Sequence, residues 1–291
     1  MASSVFVSAP DGLKLHVLER GPRDDPRPSV VCLPGLTRTA EDFDALADAL
    51  AARGRRVLAL DSRGRGRSEY DRNADNYSLP VELADLIAVL AAREAQPAVF
   101  VGSSRGGLLT MLLAAQRPAS IAGAILNDIG PVIERTGIMR LKGYVGKLHT
   151  PRTYEEGADI LRRLFGQQFP KVDMAGWEVA ARRTWREEKG RLVVTYDVNL
   201  AKTLKGFDAD SPIPPLWLQF DALAHVPVMV VRGENSDLLS AQTVAAMAAR
   251  RPQMDVIDVP DQGHTPFLSE PEMVGRLIAF VERCDARRRA A

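Results

Sequence analysis

The chain has 291 residues, 46% of them hydrophobic and 26% charged, a composition that supports a large buried core and excludes disordered and fibrous classes. Lys and Arg number 38 against 37 Asp and Glu, so the charge points to a small molecule as the partner, not to nucleic acid or an anionic membrane surface. Two cysteines, Cys32 and Cys284, and four scattered histidines, His16, His149, His225 and His264, fall short of a disulfide framework or a metal cluster, so neither metal nor cofactor is expected.

Val5 to Ser8, the turn Asp11-Gly12 and Leu13 to Glu19 predict an antiparallel hairpin. The pattern then alternates. Val30 to Leu33 is an apolar strand, Glu41 to Ala52 a helix, and Arg56 to Leu60 a strand. Ser78 caps a helix to about Glu94, in which Leu83, Leu86, Ile87 and Leu90 share a face. Ala98 to Val101 is a strand, Gly106 to Gln116 a helix followed by Pro118, and Ile121 to Leu126 a further strand. Apolar strands alternating with helices imply an α/β fold with a mostly parallel sheet covered on both faces, and ligands of such sheets bind beyond the carboxyl ends of the strands.

The alternation lapses from about Pro131 to Leu223. Thr153 and Glu156 form a capping box opening a helix towards Phe165, and a Trp-bearing helical stretch is expected around Asp173 to Glu188. Val193, Val194 and Tyr196 look extended, and Pro212, Pro214 and Pro215 break the chain before Leu216 to Leu223. The sheet pattern resumes at Val226 to Val231; Ser240 caps a helix to Arg250, Asp255 to Val259 is the last strand, and Ser269 opens a terminal helix to about Arg283. The basic run Arg287-Arg288-Arg289 reads as a solvated tail. The expected organisation is a core of residues 1–130 and 224–291, with a helical lid inserted at 131–223. No signal-like N-terminal pattern and no run of about 18 apolar residues is present, which reads as a soluble cytoplasmic protein with no membrane partner. Monomer and homodimer are equally compatible with the pattern.

Gly102-Ser103-Ser104-Arg105-Gly106 lies between an apolar strand and a helix, the setting of a nucleophile elbow. A turn this tight needs small residues two before and two after the nucleophile. Gly102 and Gly106 satisfy this around Ser104; around Ser103 the same positions are Val101 and Arg105. A serine nucleophile needs a base, and the base needs an acid to hold its tautomer. His264 follows the last strand and so shares the carboxyl edge with Ser104, whereas His16 is in the hairpin, His149 in the insertion and His225 at the wrong end of a strand. For the acid, Asp237 is favoured over Asp128 because it gives the chain order Ser, Asp, His, with Glu234 in reserve. The oxyanion donors are expected to be the backbone N–H of Arg105 and that of Leu36, in the Leu33-Pro34-Gly35-Leu36 turn. The Arg105 side chain either pairs with a carboxylate such as Asp128 or offers a cation to an acidic substrate.

These residues resemble the α/β-hydrolase superfamily over nearly the whole chain. L-P-G-L-T-R is similar to its H-G-x turn with proline for histidine, D-S-R-G-R-G-R-S to its D-x-R-G-x-G-x-S loop, V-G-S-S-R-G-G to the elbow, R-G-E-N-S-D to the acid loop, and Q-G-H-T-P-F to the histidine loop. The resemblance implies Ser104, Asp237 and His264 as a triad, with Leu36 and Arg105 as oxyanion donors. Asp61, Arg63, Gly64, Gly66 and Ser68 read as structural, with an Asp–Arg contact. Met111, Leu112, Trp185 and Trp217 read as core, although lid aromatics can also line a pocket, so Trp185 and Trp217 stand with Arg105 and Asp128 as candidate substrate contacts. The lid placement resembles esterases, enol-lactonases and C–C hydrolases of ring-cleavage products, and the serine at the elbow points away from dehalogenases and epoxide hydrolases. The expected function is hydrolysis of a small carboxylic ester or lactone by a serine hydrolase. C–C cleavage with the same triad and a hydrolase-like ligand-binding protein are the alternatives.

Overall fold

Short runs of Val, Leu and Ala without polar alternation are what a strand covered on both faces requires, and they form the centre of the sheet. In the computed structural model, which describes residues 2–208 and 212–289, the strands are β1 (Ser3–Ser8), β2 (Lys14–Arg20), β3 (Ser29–Leu33), β4 (Val57–Leu60), β5 (Ala98–Ser103), β6 (Ile121–Asn127), β7 (Trp185–Glu188), β8 (Arg191–Val194), β9 (Val228–Gly233) and β10 (Asp255–Val259). The helices are α1 (Asp44–Ala51), α2 (Leu79–Ala92), α3 (Arg105–Gln116), α4 (Arg135–Tyr144), α5 (Tyr154–Phe165), α6 (Met174–Thr184), α7 (Trp217–Asp221), α8 (Ala241–Arg250) and α9 (Pro271–Arg289). Arg287–Arg289, expected as a tail, continue α9 as backbone; their side chains lie outside the described part.

Eight strands form one sheet in the order β1-β2-β4-β3-β5-β6-β9-β10, with β1 and β2 antiparallel and the rest parallel. Successive residues of β5 serve opposite layers. Phe100 packs with α2 and α3 through Leu86, Leu90 and Met111, whereas Val99 and Val101 pack with α1 and α9 through Leu46 and Phe280. The strand order reverses between β3 and β5, so the loops leaving these two strands open a crevice at the carboxyl edge. Both candidate oxyanion segments and Ser104 sit in those loops.

The segment between β6 and β9 departs from the helical expectation. Its Asp173–Glu188 stretch divides into α6 and β7, and β7 pairs antiparallel with β8 through a two-residue turn, Lys189-Gly190, at φ 51° and 74°. Lys-Gly at positive φ is the chemistry of a tight hairpin. Trp177, Ala181, Trp185 and Leu192 form a small core of their own with α5. The end of the segment behaves differently: α7 places Phe220 in the main core, and Leu216 N–H donates to Pro131 O at 2.7 Å, joining the segment's two ends. Among the described residues no helix is long and apolar enough to cross a membrane.

Candidate active site

Ser104 stands between β5 and α3 at φ 49° and ψ −114°, a conformation that side-chain-bearing residues rarely adopt. The local glycines make it attainable. A Cβ on Gly102 would lie 2.6 Å from the carbonyl carbon of Gly106, so no side chain fits across the bend. Gly106 is required for a different reason: its Cβ would fall 2.0 Å from Leu33 O on β3, the adjacent strand. The bend is pinned to β6 as well, through Ser104 N–H to Asn127 O at 2.9 Å.

His264 is brought to the serine by the loop after β10. Gln262 Oε1 closes that loop by accepting Phe267 N–H at 2.7 Å, and Asn127 Nδ2 donates to Pro266 O at 3.1 Å. The His264 side chain is almost fully buried, with Nε2 2.8 Å from Ser104 Oγ and Nδ1 2.7 Å from Asp128 Oδ2. A carboxylate only accepts, so Nδ1 carries the proton and Nε2 is left to accept from the serine hydroxyl.

The acid touching His264 is therefore Asp128, not the favoured Asp237. Asp128 leaves β6 at φ 53°, is completely buried, and accepts from three donors: Gly233 N–H at 2.9 Å on Oδ1, and Ser236 Oγ at 2.6 Å with His264 on Oδ2. Asp237 is turned the other way. Its carboxylate forms a two-pronged ion pair with Arg140 of α4 at 2.6 and 2.9 Å, and its carbonyl accepts Gly137 N–H of the same helix. Burial raises the Asp237 pKa, but the Arg140 hydrogen bonds and charge outweigh it and hold the carboxyl below the usual range. Chain order could not separate the two aspartates because both follow parallel strands, β6 and β9, that lie side by side in the sheet.

The turn after β3 approaches the nucleophile closely. A Cβ on Gly35 would sit 3.7 Å from Ser104 Cβ, and Leu36 follows it into the same cavity wall. Proline at position 34 is compatible with this approach. Arg105 begins α3, and an amide at that position has no acceptor within its own helix.

The Arg105 side chain meets neither expectation. It does not reach Asp128 and does not line the cavity; Nε donates to Glu82 Oε2 at 2.7 Å and Nη2 to Tyr77 O at 3.0 Å. The other oxygen of Glu82 accepts Arg65 Nη1 at 2.6 Å, and Arg65 Nε in turn holds Leu36 O at 2.8 Å. One buried carboxylate on α2 thus ties together the two residues expected to supply oxyanion donors. Burial pushes the Glu82 pKa up, but the Arg105 and Arg65 charges prevail and keep it low. The helical pattern around Glu82 gave no hint of this, since a buried Glu on an amphipathic helix looks like any exposed one. The expected Asp61–Arg63 contact is also absent: Arg63 pairs with Asp85, Asp11 and Asp71, and Asp61 binds His16.

A cavity of about 150 Å³ opens beside Ser104 and His264. Its walls are mainly apolar, with Tyr144, Leu161, Phe165, Phe169 and Trp177 from the segment between β6 and β9. Trp185 and Trp217 take no part. Trp185 is fully buried in that segment's own core, and Trp217 packs against Phe220 and under the Arg250 guanidinium at 4.3 Å. Met111 is core as expected. Cys32 and Cys284 are free and buried; burial raises both thiol pKa values, that of Cys284 to about 12.

The model of the alpha/beta hydrolase family matches residues 30–277. The 3-hydroxybutyrate-oligomer hydrolase of Cupriavidus necator is 32% identical over 285 residues, covering 91% of this chain and 92% of that protein. The 2-(acetamidomethylene)succinate hydrolase of Mesorhizobium japonicum is 26% identical over 270 residues, covering 91% and 90%. The crystal structure of an alpha/beta hydrolase from Novosphingobium aromaticivorans is 41% identical with a TM-score of 0.90, covering 97% of this chain and 98% of that one. With a family match from β3 into α9 and the elbow, histidine loop and strand order described above, the chain belongs to the alpha/beta hydrolase family.

Proposed function

We propose that the protein is a serine hydrolase that cleaves a small carboxylic ester or lactone through an acyl-enzyme on Ser104. The hydrogen-bonded series Ser104, His264, Asp128 at a cavity wall carries this reading. His264 Nε2 takes the Ser104 proton as Oγ bonds to the substrate carbonyl carbon. The resulting oxyanion is held by the N–H groups of Leu36 and Arg105. On collapse the carbon–oxygen bond to the alcohol breaks, and His264 returns the proton to the leaving oxygen. A water molecule, deprotonated by His264, then attacks the acyl carbon and releases the acid and Ser104. Asp128 holds the imidazole tautomer throughout and stabilises the imidazolium that forms at each proton transfer; Asp237 feels the His264 charge, but its carboxylate is paired with Arg140 and makes no hydrogen bond to the imidazole among the described residues.

Residues 131–223 serve as the lid, in which α5 and α6 shape the cavity that receives the substrate. A cavity near 150 Å³ is about the volume that holds one benzene ring, which favours short acyl groups over long lipid chains. The names of the two hydrolase relatives, one for a 3-hydroxybutyrate oligomer and one for a substituted succinate, both refer to compounds built on four-carbon acids, in keeping with a short acyl group. The decisive measurement is turnover of 4-nitrophenyl acetate, butyrate and octanoate by purified protein and by Ser104→Ala. Activity that falls with chain length and vanishes in the variant is expected, and a variant that keeps its turnover overturns the reading. Lactones and a vinylogous diketone in the same panel separate ester from C–C cleavage.

A further inference from the structure

We infer that Arg183 binds a carboxylate carried by the substrate, so that the preferred ester is anionic. This rests on the esterase reading of Ser104.

Arg183 lies in the last turn of α6 and lines the cavity wall. The end of α6 is anchored: Thr195 N–H donates to Thr184 O at 3.0 Å, and Thr195 Oγ1 donates to Arg183 O at 3.3 Å. The wall around Arg183 continues into the oxyanion turn. Thr184 Oγ1 accepts Arg38 Nη1 at 3.2 Å, and Arg38 Cγ lies 3.5 Å from where a Cβ on Gly35 would be, next to Ser104.

The other guanidinium and the carboxylate that line the cavity, Arg38 and Asp42, are committed to each other. Arg38 forms a two-pronged pair with Asp42, at 2.7 and 2.6 Å, that uses both carboxylate oxygens. Arg182, its neighbour in sequence, stacks on Tyr154 at 4.3 Å. Glu41 is exposed at the surface and feels the Arg183 charge, but no hydrogen bond joins them among the described residues. The Arg183 guanidinium itself has neither hydrogen bond nor ion pair among the described residues, and Arg183 lines the cavity on the side where Leu161, Phe165, Phe169 and Trp177 of the same segment form an apolar wall.

A planar cation at an apolar wall is matched best by a planar anion that can take both its prongs. A substrate carboxylate meets that need, and a neutral acyl chain does not. The requirement selects a class: short esters bearing a free acid, on either the acyl or the alcohol side.

The test uses matched pairs. The mono-4-nitrophenyl ester of glutarate is compared with 4-nitrophenyl valerate for the acyl side, and the butyryl ester of 3-hydroxypropanoate with that of its amide for the alcohol side. In the wild-type protein one anionic member is expected to have the lower KM. In Arg183→Gln the acid-to-neutral ratio of kcat/KM is expected to fall about tenfold, and Arg183→Lys is expected to recover part of it. Loss of the preference at high salt accompanies this. A wild type without acid preference in either pair, or an unchanged ratio in Arg183→Gln, overturns the inference. Should neither pair be hydrolysed at all, the esterase reading fails while the site is still judged by calorimetry with glutarate: a Kd raised about tenfold in Arg183→Gln upholds it, and equal binding overturns it.

Discussion

Two Ser–His–Asp series run through the described part of this protein with nearly the same distances. In one, Ser104 Oγ is 2.8 Å from His264 Nε2 and His264 Nδ1 is 2.7 Å from Asp128 Oδ2. In the other, Ser4 Oγ is 2.8 Å from His16 Nε2 and His16 Nδ1 is 2.7 Å from Asp61 Oδ2. Their surroundings differ in every respect that chemistry needs. Ser4 lies in the regular edge strand β1, exposed, whereas Ser104 is held at positive φ at the head of a helix. Neither Ser4, His16 nor Asp61 lines the cavity. Asp61 acts structurally instead. Its carboxylate also accepts Ala40 N–H at 2.7 Å and Arg67 N–H at 3.0 Å, so it gathers three segments of chain. The comparison teaches that the hydrogen-bonded series is also a convenient way to bury an Asp–His pair, and that a strained serine, free amides and a cavity set the series proposed as catalytic apart from the structural one.

The widest separation between the two series is expected at the serines. Ser104→Ala should lower kcat/KM for 4-nitrophenyl butyrate by about 10⁴-fold or more, and Ser4→Ala should leave it within about twofold. Comparable losses in the two variants would erase the distinction. The acids sharpen it next. Asp128→Asn should cost on the order of 10³–10⁴ in kcat by disturbing the His264 tautomer, while Asp237→Asn costs less than about tenfold. The reverse ranking would restore Asp237 as the catalytic acid.

The third expectation concerns stability. Asp61→Ala removes the acceptor of His16 and of two backbone amides, all buried or partly so, and should lower unfolding free energy by about 2–4 kcal/mol in urea titrations. The kcat of the folded fraction should change little; a large kcat loss at unchanged stability would give the second series a catalytic part.

The smallest effect is a pH dependence at the displaced aspartate. The folded pKa of Asp237 is depressed below 3.8, so its pairing with Arg140 contributes stability above that pH and loses it as pH falls through the folded value. Urea unfolding should therefore show Asp237→Asn less stable than wild type by about 1 kcal/mol at pH 7, with the gap closing as acid protonates the carboxyl below the usual carboxylate range. A gap that is constant with pH would mean that charge is not what the pair contributes.

Much of the fold was legible because its signals are local. Apolar strand runs, the glycine spacing about Ser104 and the placement of His264 directly after the last strand each depend on a few neighbouring residues, and the observed elements follow them closely. The hairpin of β7 and β8 was not legible as such, since Trp185 to Glu188 continues the composition of the helix before it and only the Lys189-Gly190 turn marks the reversal. The candidate contacts failed where they depended on direction. Trp185 and Trp217 were placed in the correct segment, but which face of an element meets a cavity depends on what packs against the other face.

By itself the sequence determined the α/β architecture, the choice of Ser104 over Ser103 and the pairing of that serine with His264, because backbone sterics and strand ends dictate them. Only the tertiary structure decided which aspartate completes the series. Two acids at the ends of adjacent strands are equivalent in chain order; Arg140 on α4 draws Asp237 away, while the Gly233 amide and Ser236 hydroxyl converge on Asp128 and leave it facing His264. Tertiary packing likewise decided that Glu82 binds Arg105 and Arg65 together, and that Arg183 lines the cavity without a partner among the described residues, since both follow from how remote elements meet.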